Sequence, residues 1–294
     1  MVIGINPDWR VSMRKKQVMM RKICLVALCL WSFTGVAFSA PPERIVSLAP
    51  SITEILYDLG LGDRIAAVTI FCDYPSQALD KPKIGGFANP SLEAIVAAKP
   101  DMVVMTDDGN PPEIFARLKK LGIKAYVFRA KRLSELPQGI RDMGTALGVK
   151  KQAFMRAERI ERVLQEYEKK LKATPQGRLK KAIFIVHPEP LVVAGPGTVI
   201  NDVLDLLGLQ NIASDAGVRY PKYSIEEVMR RSPDIIFIGK GKMTGENAGN
   251  LIKRLRRVEA VKRGRLYYTS ESLYRLSPRV TTGILELAGY IDKR

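Results

Sequence analysis

Residues 91–105 read Ser-Leu-Glu-Ala-Ile-Val-Ala-Ala-Lys-Pro-Asp-Met-Val-Val-Met, and residues 224–238 read Ser-Ile-Glu-Glu-Val-Met-Arg-Arg-Ser-Pro-Asp-Ile-Ile-Phe-Ile. The second stretch repeats the first at an offset of 133 residues (224 − 91), with Ser91/Ser224, Glu93/Glu226, Pro100/Pro233 and Asp101/Asp234 identical. Each copy encodes a short helix, a Pro-Asp turn and a strand. Ser is a favourable N-cap, and Ser224 followed by Glu227 has the spacing of a capping box. Leu92, Ile95 and Val96 recur at i, i+3, i+4, as do Ile225, Val228 and Met229, which predicts one buried helix face in each copy. Pro100 and Pro233 cannot continue a helix. Met102–Met105 and Ile235–Ile238 are apolar on both faces, as in a parallel strand covered on each side. One such unit in each half of the chain predicts two similar α/β lobes with a cleft between them.

The flanking sequence extends the pattern. Strands are expected at 44–49, 63–69, 124–128, 181–187, 191–194 and 265–269, and helices at 52–59, 113–121, 199–207, 247–258 and 278–290. Leu207-Gly208-Leu209 echoes Leu59-Gly60-Leu61, with each Gly placed to stop a helix. Residues 133–172 are helical in pattern, and their second helix carries Phe154, Ala157, Ile160, Val163, Leu164, Tyr167 and Leu171 at helical spacing over roughly 23 residues, about 35 Å. The expected organisation is an N-terminal lobe over 41–147, a stiff connecting helix over 148–174 and a C-terminal lobe over 175–294, with the boundary near Pro175 and Gly177.

Residues 1–40 differ from the rest. Arg14, Lys15, Lys16, Arg21 and Lys22 precede an apolar run, 23–36, that is short for a membrane span, and Ala37-Phe38-Ser39 fits a cleavage site. This is the pattern of an export signal, with Met13 the better start and a retained anchor the other reading. Residues 1–40 hold six Lys/Arg and one Asp of a chain of net charge +17, so the mature chain would carry +12. It would also lack Trp9, Trp31, Cys24 and Cys29, leaving Cys72 as a packed, unpaired thiol. The basic pairs, such as Lys119-Lys120 and Arg256-Arg257, are scattered rather than gathered with aromatics, which argues against nucleic acid.

Catalytic patterns are sparse. One His, His187, serves the whole chain, so a His-based metal cluster is excluded and a Ser-His-Asp site has a single candidate base. An exported α/β hydrolase using His187 is therefore a remote reading. Gly239-Lys240-Gly241 is a lone G-x-G, and no P-loop or nucleophile elbow is present. The informative residues follow strands, where open α/β sheets bind ligands. These loops carry Phe71, Asp73, Tyr74, Phe87, Asn89, His187, Tyr220, Tyr223, Glu271, Tyr274 and Arg275. Aromatics with a few polar groups suit a bulky, flat ligand.

Arg44-Ile45-Val46-Ser47-Leu48-Ala49-Pro50-Ser51, Thr53-Glu54, Asp73-Tyr74-Pro75, Ser91-Leu92-Glu93 through Lys99-Pro100-Asp101, and Ser277-Pro278-Arg279 together resemble the periplasmic binding proteins of ABC importers that have two α/β lobes joined by one long helix, the class serving cobalamin and ferric siderophores. The likeness runs from about Arg44 to Ile291. It implies a periplasmic, non-enzymatic monomer, without cofactor or metal of its own, that captures a corrinoid and delivers it to an inner-membrane permease and its ATPase. By the same resemblance Asp73, Tyr74, Phe87, Tyr220, Glu271 and Arg275 contact the ligand, and Glu93 and Glu226 dock onto the permease; His187, from its place at a strand end, is a weaker ligand candidate. Phe87, Tyr220 and Thr106 stand where the cobalamin branch has Trp. The basic loop residues Arg129, Lys131, Arg219, Lys222 and Arg275 would also suit a ferric siderophore or haem.

Overall fold

The computed structural model describes residues 41–173, 179–240 and 245–292. The proposed signal segment 1–40, the boundary residues 174–178 and Gly241 lie outside the described residues.

The first lobe is a four-stranded parallel sheet of β1 (Ile45–Ser47), β2 (Ile65–Val68), β3 (Met102–Thr106) and β4 (Ala125–Phe128), in the order β2-β1-β3-β4. The second lobe repeats it. There β7 (Leu209–Asn211), β5 (Lys180–Pro188), β8 (Ile235–Gly239) and β9 (Leu266–Thr269) pair in parallel in the equivalent order, and β6 (Leu191–Val193) pairs antiparallel with the far end of β5. The two-lobed α/β class read from the repeat is thus the architecture observed.

Alternating side chains sort each sheet into two cores. Val46, Leu48, Val103 and Met105 join Ile95, Ile114 and Leu118 on one side of the first sheet. Ile183, Ile185, Ile236 and Ile238 do the same in the second with Val228, Leu251 and Leu255. The opposite faces, through Ile45, Val104, Phe128, Ala182, Phe184 and Phe237, belong to one continuous core that also holds helices of both halves.

The helices follow the same duplication. They are α1 (Pro50–Asp58), α2 (Leu92–Ala97), α3 (Pro112–Lys120) and α4 (Leu136–Ala146), then α6 (Val199–Leu206), α7 (Ile225–Arg231), α8 (Gly245–Leu255), the one-turn α9 (Glu259–Lys262) and α10 (Val280–Ile291). Between the two sets runs α5 (Lys150–Ala173), 24 residues or about 36 Å at 1.5 Å per residue. Its buried stripe is Ala153, Ala157, Ile160 and Leu164, of which Ala153, Ile160 and Leu164 belong to the core shared by the two lobes.

The identical residues of the repeat have visible work. Asp101 accepts hydrogen bonds from the Glu43 and Arg44 amides, both at 2.9 Å, and Asp234 accepts one from the Lys181 amide at 2.8 Å. Each aspartate thereby pins the start of its lobe's central strand. Lys99 and Ser232, at equivalent positions, both take left-handed backbone, with φ of 47° and 49°. Gly60 and Gly208 end α1 and α6 with φ of 77° and 69°, the conformation a helix-stopping glycine supplies cheaply.

Several expectations need correction. Val96 and Met229 are exposed rather than part of the buried helix face. Only half of the capping box forms: the Ser224 hydroxyl accepts from the Glu227 amide at 3.1 Å, while the Glu227 carboxylate turns to Arg230 and Arg231. Those two guanidinium groups pull the Glu227 carboxyl down to about 2. Residues 188–190 do not merely interrupt a strand. They reverse it into the β5–β6 hairpin, where Pro188 faces Leu191. Strand β7 is additional to the strands read from sequence.

Candidate functional site

The loops leaving the parallel strands meet where the two lobes face each other. On the first lobe, the Phe71 ring packs edge-on against Phe87, with centroids 5.7 Å apart. Asn110, buried behind them, fixes this wall. Its amide nitrogen donates to the carbonyls of Phe87 and Leu48, both at 2.8 Å, and its oxygen accepts from the Thr106 amide at 2.8 Å. One side chain thus ties three strand-end loops together. Phe71 and Phe87 remain 49% and 39% exposed, which a wall built only for stability would not require.

Tyr220 stands on the second lobe, in a segment that lies along β6 through the Gly195 amide to the Arg219 carbonyl (2.8 Å) and the Val193 amide to the Pro221 carbonyl (3.1 Å). Its side chain is 46% exposed, yet desolvation by surrounding protein raises its pKa. Tyr274 lies close enough to Tyr220 and Glu271 for both to raise its pKa further, burial being the larger cause. A Cβ at Gly239 would collide with the Tyr274 hydroxyl, so the first glycine of the lone G-x-G makes room for this tyrosine at the end of β8.

Two arginines make ion pairs between the lobes here. Arg219 reaches Asp108 at 3.2 Å, and both partners are well exposed. Arg275 reaches Asp73 at 2.7 Å and Glu54 at 2.9 Å, and donates to the Phe71 carbonyl at 3.1 Å. Asp73 and Arg275, both read as ligand contacts, are therefore partners of each other.

Behind them is a feature the sequence reading missed. Glu54 on α1 is buried and receives Arg275, Arg279 (3.1 Å) and the Ser277 hydroxyl (2.5 Å), all from the loop before α10. Asp202 on α6 is buried and receives Arg132 (2.7–3.0 Å) and the Leu133 amide (2.9 Å), from the loop before α4. The Leu-Gly-Leu echo sets a 148-residue offset between α1 and α6 (207 − 59), which superimposes Glu54 on Asp202. The two lobes hold each other through equivalent acids. That offset was the available signal.

Not every expected residue joins the aromatic group. Tyr74 has the Arg279 guanidinium 3.7 Å from its ring centroid, and it lines a flanking cavity of about 370 Å³ with Tyr57, Arg156 and Arg159. His187 is held at the hairpin turn, its Nδ1 3.1 Å from the Pro190 carbonyl, on a strand separated from Lys222 by β6. Glu271 opens the turn after β9 and is half-buried. Thr106 is buried under Asn110 rather than offered to the cleft. Among the described residues no cluster of His, Cys, Asp or Glu could hold a metal ion. Cys72 is buried, with the Thr53 and Thr69 hydroxyls each 3.1 Å from its sulfur.

Glu93 and Glu226 occupy the first turns of α2 and α7, away from these contacts, and both are exposed. Their environments match. In each, the residue's own amide and then the preceding Ser hydroxyl lower the carboxyl pKa, with a weaker contribution from an arginine on the next helix, Arg117 or Arg254.

This arrangement of two lobes, a long bridging helix and a cleft at the strand ends is that of a periplasmic binding protein. Residues 45–273 match the family described as periplasmic binding protein, and the chain belongs to it. It is 26% identical to the vitamin B12-binding protein of Vibrio parahaemolyticus over 93% of this chain and 98% of that one. It is 33% identical to the vitamin B12-binding protein of Pectobacterium atrosepticum over 68% of this chain and 72% of that one. Among solved structures, it resembles the periplasmic vitamin B12-binding protein BtuF of Vibrio cholerae, with a TM-score of 0.73 and 28% identity over 85% of this chain and 97% of that chain. The apo periplasmic haem-binding protein RhuT from Roseiflexus gives 0.74 and 25% over 84% and 97%. The family is one of binding proteins, and the hydrolase reading built on His187 is set aside.

Proposed function

We propose that this protein is exported, captures cobalamin or a related corrinoid in the cleft between its lobes, and hands it to an ABC importer in the inner membrane. The observation that carries the reading is the set of exposed aromatics, Phe71–Phe87 on one lobe and Tyr220 on the other, in strand-end loops that the Arg219–Asp108 ion pair joins. Flat apolar surfaces of this kind suit a macrocycle with a polar periphery. The vitamin B12-binding relatives support the choice of ligand. Phe87 and Tyr220 would supply stacking area. Glu271 would accept hydrogen bonds from the ligand's amide groups, and Asp73 with Arg275 would form the polar floor. Tyr74 and His187 would contact only parts of the ligand that overhang this core.

Glu93 and Glu226 would present one carboxylate per lobe to the permease. Residues 1–40 would be removed on export.

Haem or a ferric siderophore is the second reading. It is favoured by the likeness to the haem-binding structure and by the cations at the rim, Lys131, Arg219 and Lys222. Calorimetric titration of the purified protein with cobalamin and with cobinamide tests the proposal. Binding of either supports it, and no heat from both overturns it. The absorbance spectrum of the protein as isolated separates corrinoid from haem.

A further inference from the structure

Beside the aromatic cleft is a cavity of about 370 Å³, in the size range of small-molecule sites, that the stacking surfaces do not use. Its walls are the end of α1, the loop carrying Tyr74 and Pro75, one face of α5 and the approach to α10. Glu54 stands between cavity and cleft. It holds Arg275, which reaches the Phe71 carbonyl, and Arg279, which lines the cavity.

Three arginines line this space, Arg156, Arg159 and Arg279, against two acids, Glu54 and Asp58. Both carboxylate oxygens of Glu54 are already taken, by Arg275, Arg279 and Ser277. Asp58 is occupied by Arg156, whose Nε stands 3.5 Å from the carboxylate and donates to the Asp58 carbonyl at 3.1 Å. Burial raises the Asp58 carboxyl pKa, with Arg156 and Arg159 pulling the other way. Donors are left over. Arg279 gives one Nη to Glu54 and rests over the Tyr74 ring. Arg159 lines the cavity and makes no hydrogen bond or salt bridge among the described residues. A guanidinium carries several N–H donors and stays charged at any working pH. Unspent donors from α5 and from the approach to α10 therefore share one cavity.

Folding alone does not account for this wall. The Tyr57 ring lines it, and the Tyr57 hydroxyl is shut from water with no hydrogen-bond partner among the described residues. Buried polar groups are normally bonded. The 148-residue offset between the lobes puts Asp205 at the place of Tyr57, so the fold also works with an acid there.

We propose that this cavity is an anion site for a phosphate-type oxyanion, bridging Arg159 on α5 to Arg279 of the second lobe. Charge-assisted bonds from guanidinium to phosphate are among the strong ones, and arginine suits them better than lysine. The oxyanion is either free phosphate or the phosphodiester of a ligand seated in the neighbouring cleft. The second source rests on the corrinoid reading, since cobalamin carries a phosphodiester and cobinamide does not.

Inorganic phosphate, titrated calorimetrically into the intact, ligand-free protein in a phosphate-free buffer, is expected to bind saturably at a single site. Arg159→Gln should weaken that binding about tenfold, with the melting temperature unchanged because Arg159 has no bonded partner to lose. Arg162→Gln, on the same helix but outside the cavity, should leave it within about twofold. The same proteins are then titrated with cobalamin and cobinamide. If the ligand supplies the oxyanion, Arg159→Gln weakens cobalamin and not cobinamide. If free phosphate is the occupant, both corrinoids bind the variant as they bind wild type, and phosphate still binds the loaded protein. No saturable heat from phosphate, together with unchanged cobalamin binding by Arg159→Gln, overturns the inference. Phosphate binding that both variants lower equally, or that neither lowers, overturns it as well. A protein that binds phosphate as expected but neither corrinoid keeps the anion site and refutes the ligand reading alone.

Discussion

Removing the buried acid of the first lobe should loosen the whole molecule. Glu54 is 2% exposed at its side chain and neutralises Arg275 and Arg279, themselves 21% and 23% exposed, while accepting from Ser277. Hydrogen bonds to a charged group are worth roughly 1.5–3 kcal/mol, against about 1 for neutral ones. Glu54→Gln keeps the shape but reduces three such bonds, a loss of about 3 kcal/mol. Glu54→Ala leaves Arg279 without its carboxylate and Arg275 with Asp73 alone, and should cost about 3–5 kcal/mol. For a chain of this size each kcal/mol moves the melting temperature by about 2–4 °C, so the Gln variant should melt about 6–12 °C lower. Asp202→Asn should cost less, because Arg132 is 55% exposed and its pair is better screened. Since both lobes share one core, the unfolding curve should stay a single transition. A drop below about 2 °C for Glu54→Ala, or an Asp202→Asn effect exceeding it, would refute this reasoning.

Phe87→Ala should weaken corrinoid binding roughly tenfold by removing one aromatic wall and its support from Phe71, whereas Phe87→Tyr should keep affinity within about threefold; calorimetry reads both. Arg141 holds Glu161 on α5 by two hydrogen bonds of 2.6 and 2.5 Å, which lower the Glu161 carboxyl pKa. A lowered folded-state pKa contributes stability present above the unfolded value of about 4.3 and lost as pH falls through the folded one. Urea midpoints of Arg141→Gln should therefore lie below wild type at pH 7 and converge on it towards pH 3, and a gap that is constant with pH would contradict the assignment. Cys72, buried between two threonines, should resist thiol reagents in the folded protein and react fully in denaturant.

The fold was legible because its signal is local and doubled. Hydrophobic period, proline and the Pro-Asp turn recur 133 residues apart, so each copy supports the reading of the other. Strand β7 escaped notice because three residues, Leu-Gln-Asn, carry no period, and it exists only through pairing with the start of β5. Val96 and Met229 were misplaced because helical spacing identifies an apolar stripe but not its buried width. The polar partnerships were hidden for a different reason. Arg275 lies 221 residues from Glu54 in sequence, and no periodicity connects them. The arginine reads from sequence as a cation free for a ligand until the fold brings the acid beneath it. Asn110 gave no sign of its role, since an asparagine between Gly109 and Pro111 is ordinary turn chemistry.

The central claim is that the aromatic cleft takes a corrinoid. Equilibrium dialysis of the purified protein against cyanocobalamin, cobinamide and haemin, singly and in competition, tests it most directly. Retention of one corrinoid per protein molecule, undiminished by haemin, is the predicted result; retention of haemin with neither corrinoid held would contradict the account.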